Sequence, residues 1–323
     1  MTLIKLPIQS LFTSVLGFTL VSLLLLTTAC SPKSGTALAE DAPLENYLLW
    51  EITADHLEKP SYLFGTIHLI DSESFFWPEG LLSAFDQSEE VVFEIDMGEM
   101  SDMSAMMGIM QKAFMADGTT LSDLLSEEDY ALVESHFNEM GIPFFMLDRI
   151  KPLFLTMMTD SEMVGQGAGI FEGGGSMKSY EVELNNMAEA SGKPVSGLES
   201  VEYQMSIFDS IPYRFQADIL VESIKNPLAA EGGGSLEEIT AVYLRQDIEY
   251  LAGMVEDDDA GFGEYTDLVL KNRNIDWIQP MIYKMQKGSV FFAVGAGHLA
   301  GEYGVIKLLK KEGYHLAPYR PKD

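Results

Sequence analysis

The sequence of 323 residues has a single cysteine, Cys30. No disulfide can form within the chain, so the fold must depend on its apolar core. Hydrophobic residues make up 47% of the chain, which is ample for such a core. The sequence also lacks the Gly-x-Ser-x-Gly pattern of serine hydrolases and the Lys-Ser/Thr ending of a phosphate-binding loop. These absences argue against serine and cysteine hydrolases and against a phosphate-loop enzyme.

Basic residues are scarce. The chain has 20 lysines and arginines against 50 aspartates and glutamates, which gives a net charge of −30. A surface of this charge repels nucleic acid and anionic lipid, so we expect no nucleic acid partner. The acids are spread along the whole chain, which favours a role in solubility over a dedicated binding patch.

Long apolar runs are confined to the N-terminus. Lys5 precedes an apolar stretch at residues 11–26, which is short for a membrane span and suits an export signal. Small residues then lead into Cys30, as in bacterial lipoprotein signals. We therefore predict a lipoprotein signal peptide at residues 1–30, with Cys30 lipidated after cleavage. The alternative is an ordinary signal peptide with an incidental cysteine.

The residue after Cys30 indicates where such a lipoprotein would reside. Ser31 in place of aspartate is similar to lipoproteins that are sorted to an outer membrane. We expect a bacterial outer-membrane lipoprotein facing the periplasm, or a protein exported in another way. Its contact with the membrane would be through the lipid alone. Residues 31–44 are small, polar and Pro-containing, so they predict a tether, and residues 45–323 form the folded domain.

Short apolar runs alternate with helical patterns, which predicts a mixed α/β domain. The predicted strands share an apolar sequence bounded by turn residues, and they cover residues 47–52, 61–68, 91–95, 194–198, 289–294 and 314–318. The middle of the chain is mostly helical. Two long helical patterns cover residues 235–255 and 261–288.

Two of the five histidines occur in the same setting. An apolar run ends at Gly65 with His68 three residues later, and a second run ends at Gly295 with His298 three residues later. Ligands of open α/β sheets bind at the carboxyl ends of strands, so these two histidines would meet over one pocket if their strands are neighbours. One histidine alone is more often a core residue. The repeated setting favours a functional pair.

A carboxylate completes the candidate set. Glu94 and Asp96 end another apolar run and would share one face of a strand. A buried carboxylate needs a pairing partner or a metal. Two neutral imidazoles and a carboxylate are a workable ligand set for a divalent metal, whose bound water would be a nucleophile. Without a metal, the same residues are candidates for general acid and base.

The sequence resembles the TraB/GumN family, which includes the Tiki proteases. The resemblance rests on the sequences YLFGTIHLID, VVFEIDM, GKPVSGLESVEYQMSIFDSIP, KNRNIDWIQPM and FFAVGAGHLAGEYGVIKLLKKEGYHLAPY, and it extends from Tyr47 to the C-terminus. It implies a central mixed β-sheet flanked by helices. It also implies that His68, Glu94 and His298 are the metal-binding and catalytic residues of a metal-dependent peptidase. The implied ion is manganese or cobalt, with zinc as a further candidate, and the implied substrate is a peptide or protein.

The resemblance adds Arg273, which matches an Arg-Asn pair of the family. Beside a hydrolytic pocket, Arg273 would hold a substrate carboxylate or an oxyanion, and otherwise it forms a salt bridge on a helix surface. Glu199 ends a predicted strand and is a further candidate for the pocket. Glu302, one helical turn after His298, is either its partner or an acid favoured by a helix N-terminus.

Alternatives to an enzyme remain open at this point. The same pocket would suit a non-enzymatic lipoprotein that binds haem or a peptide, because haem-binding proteins are related to the family. A structural lipoprotein with a relic pocket is the third reading. Residues 97–115 hold seven methionines, which predict a core or lid helix, a surface for peptides or a Cu(I) site. The repeated EGGGS sequences at residues 172–176 and 231–235 predict flexible loops.

Overall fold

The computed structural model describes residues 43–98, 107–108, 111–156, 158–159, 177–225, 236–256 and 263–321. The predicted signal peptide with Cys30, nearly all of the tether, most of the methionine-rich stretch and both EGGGS sequences lie outside the described residues. Within the described part of the chain, no helix is long and apolar enough to cross a membrane.

In the described residues, eight strands form two sheets, and six of these strands form the central one. Their bounds are β1 (Leu49–Thr53), β2 (Ser61–Thr66), β3 (Ile70–Asp71), β4 (Glu90–Ile95), β5 (Met177–Lys178), β6 (Val195–Glu199), β7 (Val290–Gly295) and β8 (His315–Pro318). The central sheet has the order β6-β4-β7-β2-β1-β8, and β3 pairs with β5 in a two-stranded sheet. Strands β6, β4, β7 and β2 are parallel, whereas β1 is antiparallel to both β2 and β8.

Helices flank this sheet and connect its parallel strands. Their bounds are α1 (Leu81–Gln87), α2 (Leu121–Leu124), α3 (Glu127–Glu139), α4 (Pro152–Thr156), α5 (Tyr180–Ser191), α6 (Val201–Ser210), α7 (Tyr213–Lys225), α8 (Leu236–Leu244), α9 (Ile248–Glu256), α10 (Thr266–Val269), α11 (Lys271–Met285) and α12 (Val305–Lys311). The predicted fold class, a mixed α/β domain with a central mixed sheet flanked by helices, is confirmed.

The central strands form the core because both of their faces are covered. All six residues of β2 are buried, and five of the six in β7 are buried. Strands buried on both faces read as continuous apolar runs, which is why these two were visible in the sequence. The aromatic rings of Phe64 and Phe291 lie 6.2 Å apart on neighbouring strands.

The middle of the chain packs as a separate helical cluster around Phe137, Phe144 and Leu220. Helix α3 begins where its sequence predicts, because the Ser126 hydroxyl accepts a hydrogen bond from the amide of Asp129 at 3.1 Å. His136 lies in this helix, and its Nε2 is 2.9 Å from the carbonyl oxygen of Thr159. This histidine therefore belongs to the helical cluster.

Two predicted elements differ from the structure. The single helix expected at residues 235–255 is two helices, α8 and α9, because Gln246 has a left-handed φ of 56° between them. The Gln246 side chain accepts the amide hydrogen of Leu48 at 3.1 Å, so the break connects the helices to the sheet. The pattern at residues 261–288 is likewise divided at Leu270, between α10 and α11.

Candidate active site

The carboxyl ends of the four parallel strands meet at one edge of the sheet, and each carries a polar residue. Thr66 of β2 is in register with Gly295 of β7. His68 follows β2 by two residues and His298 follows β7 by three. Glu94 is the penultimate residue of β4 and Glu199 the last residue of β6, and the two strands are hydrogen-bonded neighbours.

Both glycines of the repeated motif are required by close approach. A Cβ added at Gly65 would lie 2.9 Å from Leu299 Cδ2 and 3.1 Å from the Cα of Ala296, in the turn that leaves β7. A Cβ at Gly295 would lie 3.2 Å from Oε1 of Glu94. The first glycine thus lets the two strand ends approach each other, and the second leaves room for the carboxylate.

Glu94 is the centre of the contact set, and it is only 8% exposed. Its Oε1 accepts the amide hydrogen of Gly295 at 2.8 Å and lies 3.7 Å from Nε2 of His298. Its Oε2 accepts from Arg273 at 2.5 Å and from Gln204 at 3.4 Å. Burial, the largest single influence, would raise the pKa of Glu94. The charge of Arg273, together with the two histidines and the bond from Gly295, more than offsets it, so the pKa lies well below its usual range.

Arg273 uses all five of its N–H groups within the protein. Its Nε and Nη2 donate to Glu199, at 3.0 and 2.7 Å, and Nη2 also donates to Glu94. Its Nη1 donates to the carbonyl oxygen of Val269 at 3.2 Å and to Nε2 of His298 at 3.3 Å. A guanidinium has five donors. The predicted role of holding a substrate carboxylate or an oxyanion would therefore require one of these bonds to be released.

Glu199 completes the support of Arg273. Its side chain is 5% exposed and accepts a hydrogen bond from the indole nitrogen of Trp277 at 2.9 Å. Burial raises the pKa of Glu199 above its usual value. The Trp277 ring also packs against His298, with ring centroids 4.5 Å apart, and under the Arg273 guanidinium at 4.8 Å.

His298 is held in one tautomer by Asn274. The Asn274 amide nitrogen donates to the carbonyl oxygen of Tyr303 at 2.9 Å, which leaves its Oδ1 as the acceptor facing Nδ1 of His298 at 2.6 Å. Nδ1 therefore carries the hydrogen, and Nε2 keeps a lone pair. Burial lowers the pKa of His298 to about 3, so the ring is neutral near pH 7.

His68 is the open member of the site, because 75% of its side chain is exposed. Its Nδ1 lies 3.0 Å from Oε1 of Glu181, at the start of α5. The Glu181 carboxylate raises the pKa of His68 to about 9, although water screens an interaction at so exposed a ring. The charges of Glu94 and Arg273 shift the same pKa in opposite directions, so His68 lies within electrostatic reach of the contact set.

The structure therefore joins Glu94, His298 and Arg273 by direct contacts, and it places His68 at the same edge of the sheet with a hydrogen bond to Glu181. Glu302 lies elsewhere: it is 58% exposed and forms ion pairs with Lys307 and Lys311.

Asp96, the other carboxylate at the end of β4, makes a bond outside the contact set, and a further histidine, His315, lies on another strand. The Asp96 carboxylate accepts the amide hydrogen of Gly98 at 2.8 Å, so its observed bond closes a local turn. His315 begins β8 and is exposed at the edge of the sheet.

The donor atoms of His68, Glu94 and His298 show whether these residues suit a divalent metal ion. Both histidines direct Nδ1 to an oxygen acceptor, which is the usual arrangement of metal-bound histidines. This leaves Nε2 of His68 for a metal, whereas Nε2 of His298 accepts from Arg273 and would have to release that bond to bind one. Oε1 of Glu94 has a second lone pair beyond its bond to Gly295. The chemistry of the set therefore fits. In the described residues, however, no three His, Cys, Asp or Glu side chains are grouped as a metal site.

Several residues of the site were not identified from the sequence. Glu181 and Gln204 lie in helices, where periodicity predicts the helix but not which acid or amide reaches a strand end. The one available signal was the position of Glu181, two residues after Ser179, which caps α5. Trp277 was visible as one of only three tryptophans, four residues after Arg273 and therefore on the same helix face.

Comparison with known proteins identifies a family. The model of the TraB/PrgY/gumN family matches residues 48–318, which includes all eight strands. No solved structure matches the chain.

Three curated relatives are named metalloproteases. Metalloprotease TIKI2 of Danio rerio is 22% identical over 86% of this chain and 62% of its own length. Metalloprotease TIKI1 of Danio rerio is 23% identical over 84% of this chain and 63% of its own length, and human metalloprotease TIKI1 is 22% identical over 93% and 68%. The chain thus spans a little over three fifths of the length of the two fish relatives.

Proposed function

Because the chain belongs to the TraB/PrgY/gumN family, we propose that it is a metal-dependent hydrolase that cleaves peptides or proteins outside the cytoplasmic membrane. The metalloprotease names of its relatives support this reaction class, although their identity to the chain is low. The proposal carries over the reaction class and not the substrate of any relative.

One observation supports the proposal most strongly: two histidines and a carboxylate lie at the carboxyl ends of neighbouring parallel strands, with both Nδ1 atoms bonded to oxygen acceptors. His68, Glu94 and His298 would hold a divalent ion, for which manganese and cobalt are the first candidates. When bound, such an ion supplies a water molecule of lowered pKa as the nucleophile.

The chain's own residues keep this set ready. Arg273 holds Oε2 of Glu94, so the carboxylate stays ionised while Oε1 faces His298. Asn274 keeps the lone pair of His298 on Nε2. Glu94 and His298 are buried, whereas His68 is open to solvent, so a peptide would enter from the His68 side.

The location is part of the proposal. The sequence before the domain is similar to a lipoprotein signal that ends at Cys30, and an exported protein with one cysteine does not depend on disulfides. A lipid anchor at Cys30 would hold the domain beside the periplasmic face of the outer membrane, where peptides and proteins are the expected substrates.

The test uses the full-length chain, purified in detergent. Metal content is measured first, and hydrolysis of a peptide library is then followed before and after chelation. Chelation is expected to abolish cleavage, and manganese or cobalt to restore it. His68→Ala and His298→Ala should each lower cleavage by about a hundredfold or more, because ligand loss removes metal affinity and water activation together.

His136→Ala is the matched control, because this histidine lies in the helical cluster and should leave cleavage unchanged. Hydrolysis that persists after chelation and in both variants would overturn the metal-dependent reaction. Tight haem binding that needs His68, with no peptide cleaved, would favour the binding protein instead.

A further inference from the structure

One carboxylate near the site is buried and has no part in the contact set around Arg273. Glu181 lies in the first turn of α5, and its side chain is 14% exposed. Three side chains donate to it: the hydroxyl of Thr66 at 2.6 Å, Nδ1 of His68 at 3.0 Å and the hydroxyl of Ser179 at 2.9 Å. In a chain with so many acids, a buried one at a strand end calls for an explanation.

We propose that Glu181 is a positioning residue for His68: its carboxylate holds the hydrogen on Nδ1, fixes the ring and leaves Nε2 as the working atom. The inference rests on the proposed function, because it assigns Glu181 a role in the same site. Its structural content, the tautomer of His68, can be measured without any knowledge of the reaction.

The carboxylate is itself held rigidly. Its Oε1 accepts from both Thr66 and His68, and Thr66 is a buried residue of β2. Its Oε2 accepts from Ser179, the residue that caps α5. Each carboxylate oxygen thus accepts from a side chain of a fixed element, one from the sheet and one from the residue that caps the helix. A ring bonded to such a carboxylate cannot turn without breaking that bond.

Aromatic packing fixes the start of α5 against the segment that follows His68. Tyr180 is fully buried, stacks on Phe75 with ring centroids 4.5 Å apart, and donates its hydroxyl hydrogen to the carbonyl oxygen of Phe76 at 2.7 Å. The short pair of β3 and β5 joins the same two segments, with Ile70 opposite Lys178. The distance from His68 to Glu181 is therefore set by structure on both sides.

A general attraction of acids to helix N-termini does not account for Glu181. Glu183 lies in the same first turn and satisfies that attraction at the surface, paired with Lys178 at 3.3 Å and with 36% of its side chain exposed. The side chain of Glu181 instead points to the end of β2 and is largely removed from solvent there. Removing a carboxylate from water is unfavourable unless hydrogen bonds compensate for it, and Glu181 accepts three.

The second histidine has the equivalent support. Asn274 Oδ1 accepts from Nδ1 of His298, as Glu181 Oε1 accepts from Nδ1 of His68. Each repeated Gly-x-x-His motif thus ends in a ring whose Nδ1 is bonded to an oxygen of a flanking helix. The supports differ in charge, because one is an amide and the other a carboxylate.

The experiment reads the tautomer of His68 directly. The full-length chain is labelled with ¹⁵N-histidine, and long-range ¹H–¹⁵N couplings of the ring are recorded in detergent without metal, at a pH where His68 is neutral. A His68→Gln sample assigns the signal. The expected result for the wild type is a hydrogen on Nδ1. Glu181→Leu removes the acceptor and should move the hydrogen to Nε2, the form that predominates in free histidine.

Two further variants make the measurement decisive. Glu181→Gln keeps an acceptor oxygen and should keep the hydrogen on Nδ1, and Glu183→Gln is the matched control in the same helical turn. A wild type with the hydrogen on Nε2 overturns the proposal, as does an unchanged tautomer in Glu181→Leu. If Glu181→Leu does not fold, the wild-type tautomer decides the question.

Peptide hydrolysis provides the second reading. In Glu181→Leu, kcat should fall by about 10- to 100-fold, as for other lost supports of metal-bound histidines, with little change in KM. A wild type that cleaves no peptide but shows the expected tautomers would refute the proposed function and leave the role of Glu181 standing. Full cleavage by Glu181→Leu with a reversed tautomer would refute the role of Glu181 alone.

Discussion

The imidazole of His298 and the side-chain amide of Asn274 form a 2.6 Å hydrogen bond in a pocket where both residues are at most 5% exposed. The amide is fixed in turn by the carbonyl oxygen of Tyr303, at 2.9 Å. A ring held in this way has one lone pair, on Nε2, and that atom lies beside Glu94 and accepts from Arg273.

Removal of the amide should therefore impair the site more than the fold. Asn274→Ala is expected to lower metal affinity or cleavage by about 10- to 100-fold. Unfolding in urea should show a loss of about 1–3 kcal/mol, since the bonds at His298 and Tyr303 are left unmade. Asn185→Ala, which removes an amide that bonds to Glu189 on the surface of α5, is the control. Equal effects of the two variants on cleavage would contradict the role of Asn274.

The buried charges around Arg273 predict strong coupling. Arg273→Met would leave Glu94 and Glu199 without their counter-charge, which should destabilise the protein by about 3–5 kcal/mol. Glu94→Gln alone should cost less, because Glu199 still pairs with Arg273. The stability loss of the double variant should be smaller than the sum of the losses of the two single variants, as measured by urea unfolding. Arg214→Met, at an exposed pair with Asp218, is the control and should change little. Additive losses would argue against the ion pair.

The two motif glycines should respond differently to alanine. A methyl group at Gly65 meets the Cα of Ala296, so Gly65→Ala should destabilise the protein by about 1–3 kcal/mol. A methyl group at Gly295 meets the carboxylate of Glu94, so Gly295→Ala should disturb the site with a smaller loss of stability. Urea unfolding and cleavage assays on both variants check this. Gly141→Ala would not serve as a neutral control, because the left-handed φ of 80° at Gly141 is strained for any residue with a side chain. A larger stability loss in Gly295→Ala than in Gly65→Ala would contradict the assignment.

A substitution that changes a single atom tests the predicted lipid anchor. Cys30→Ser removes the sulfur that lipidation requires and should yield a soluble or unprocessed protein, whereas the wild type partitions with membranes in detergent extraction. The same distribution for both chains would mean that the N-terminus is an ordinary signal or no signal at all.

The sequence predicts the elements whose apolar residues form a regular pattern. Strands β2 and β7 each contain a continuous apolar run that leads into a glycine, so both strands were predicted, and the family resemblance supplied the sheet. The break at Gln246 was not predicted, because nothing in a helical pattern marks a single left-handed residue.

Apart from Arg273, which the family resemblance supplied, the candidate site was predicted only at the ends of strands. His68, Glu94 and His298 were found because a polar residue after a buried run is unusual. Glu181 was missed because a helix start rich in acids is common, and only the folded chain shows which acid turns inward. The exposure of His68 could not be predicted from the sequence either, because it depends on which segments of the folded chain cover the end of β2.

The position of β7 also determines when the candidate site can assemble. This strand lies between β4 and β2 within the central sheet, yet among the described residues it is the seventh of eight strands in chain order. Until it is synthesised and inserted, β2 and β4 have no common neighbour, and His68 and Glu94 lie in separate pieces of structure. In a chain that emerges N-terminus first, the candidate site therefore cannot assemble until β7 has been released. Pairings this distant along the chain are also slow to form, so the order of the strands delays assembly of the site.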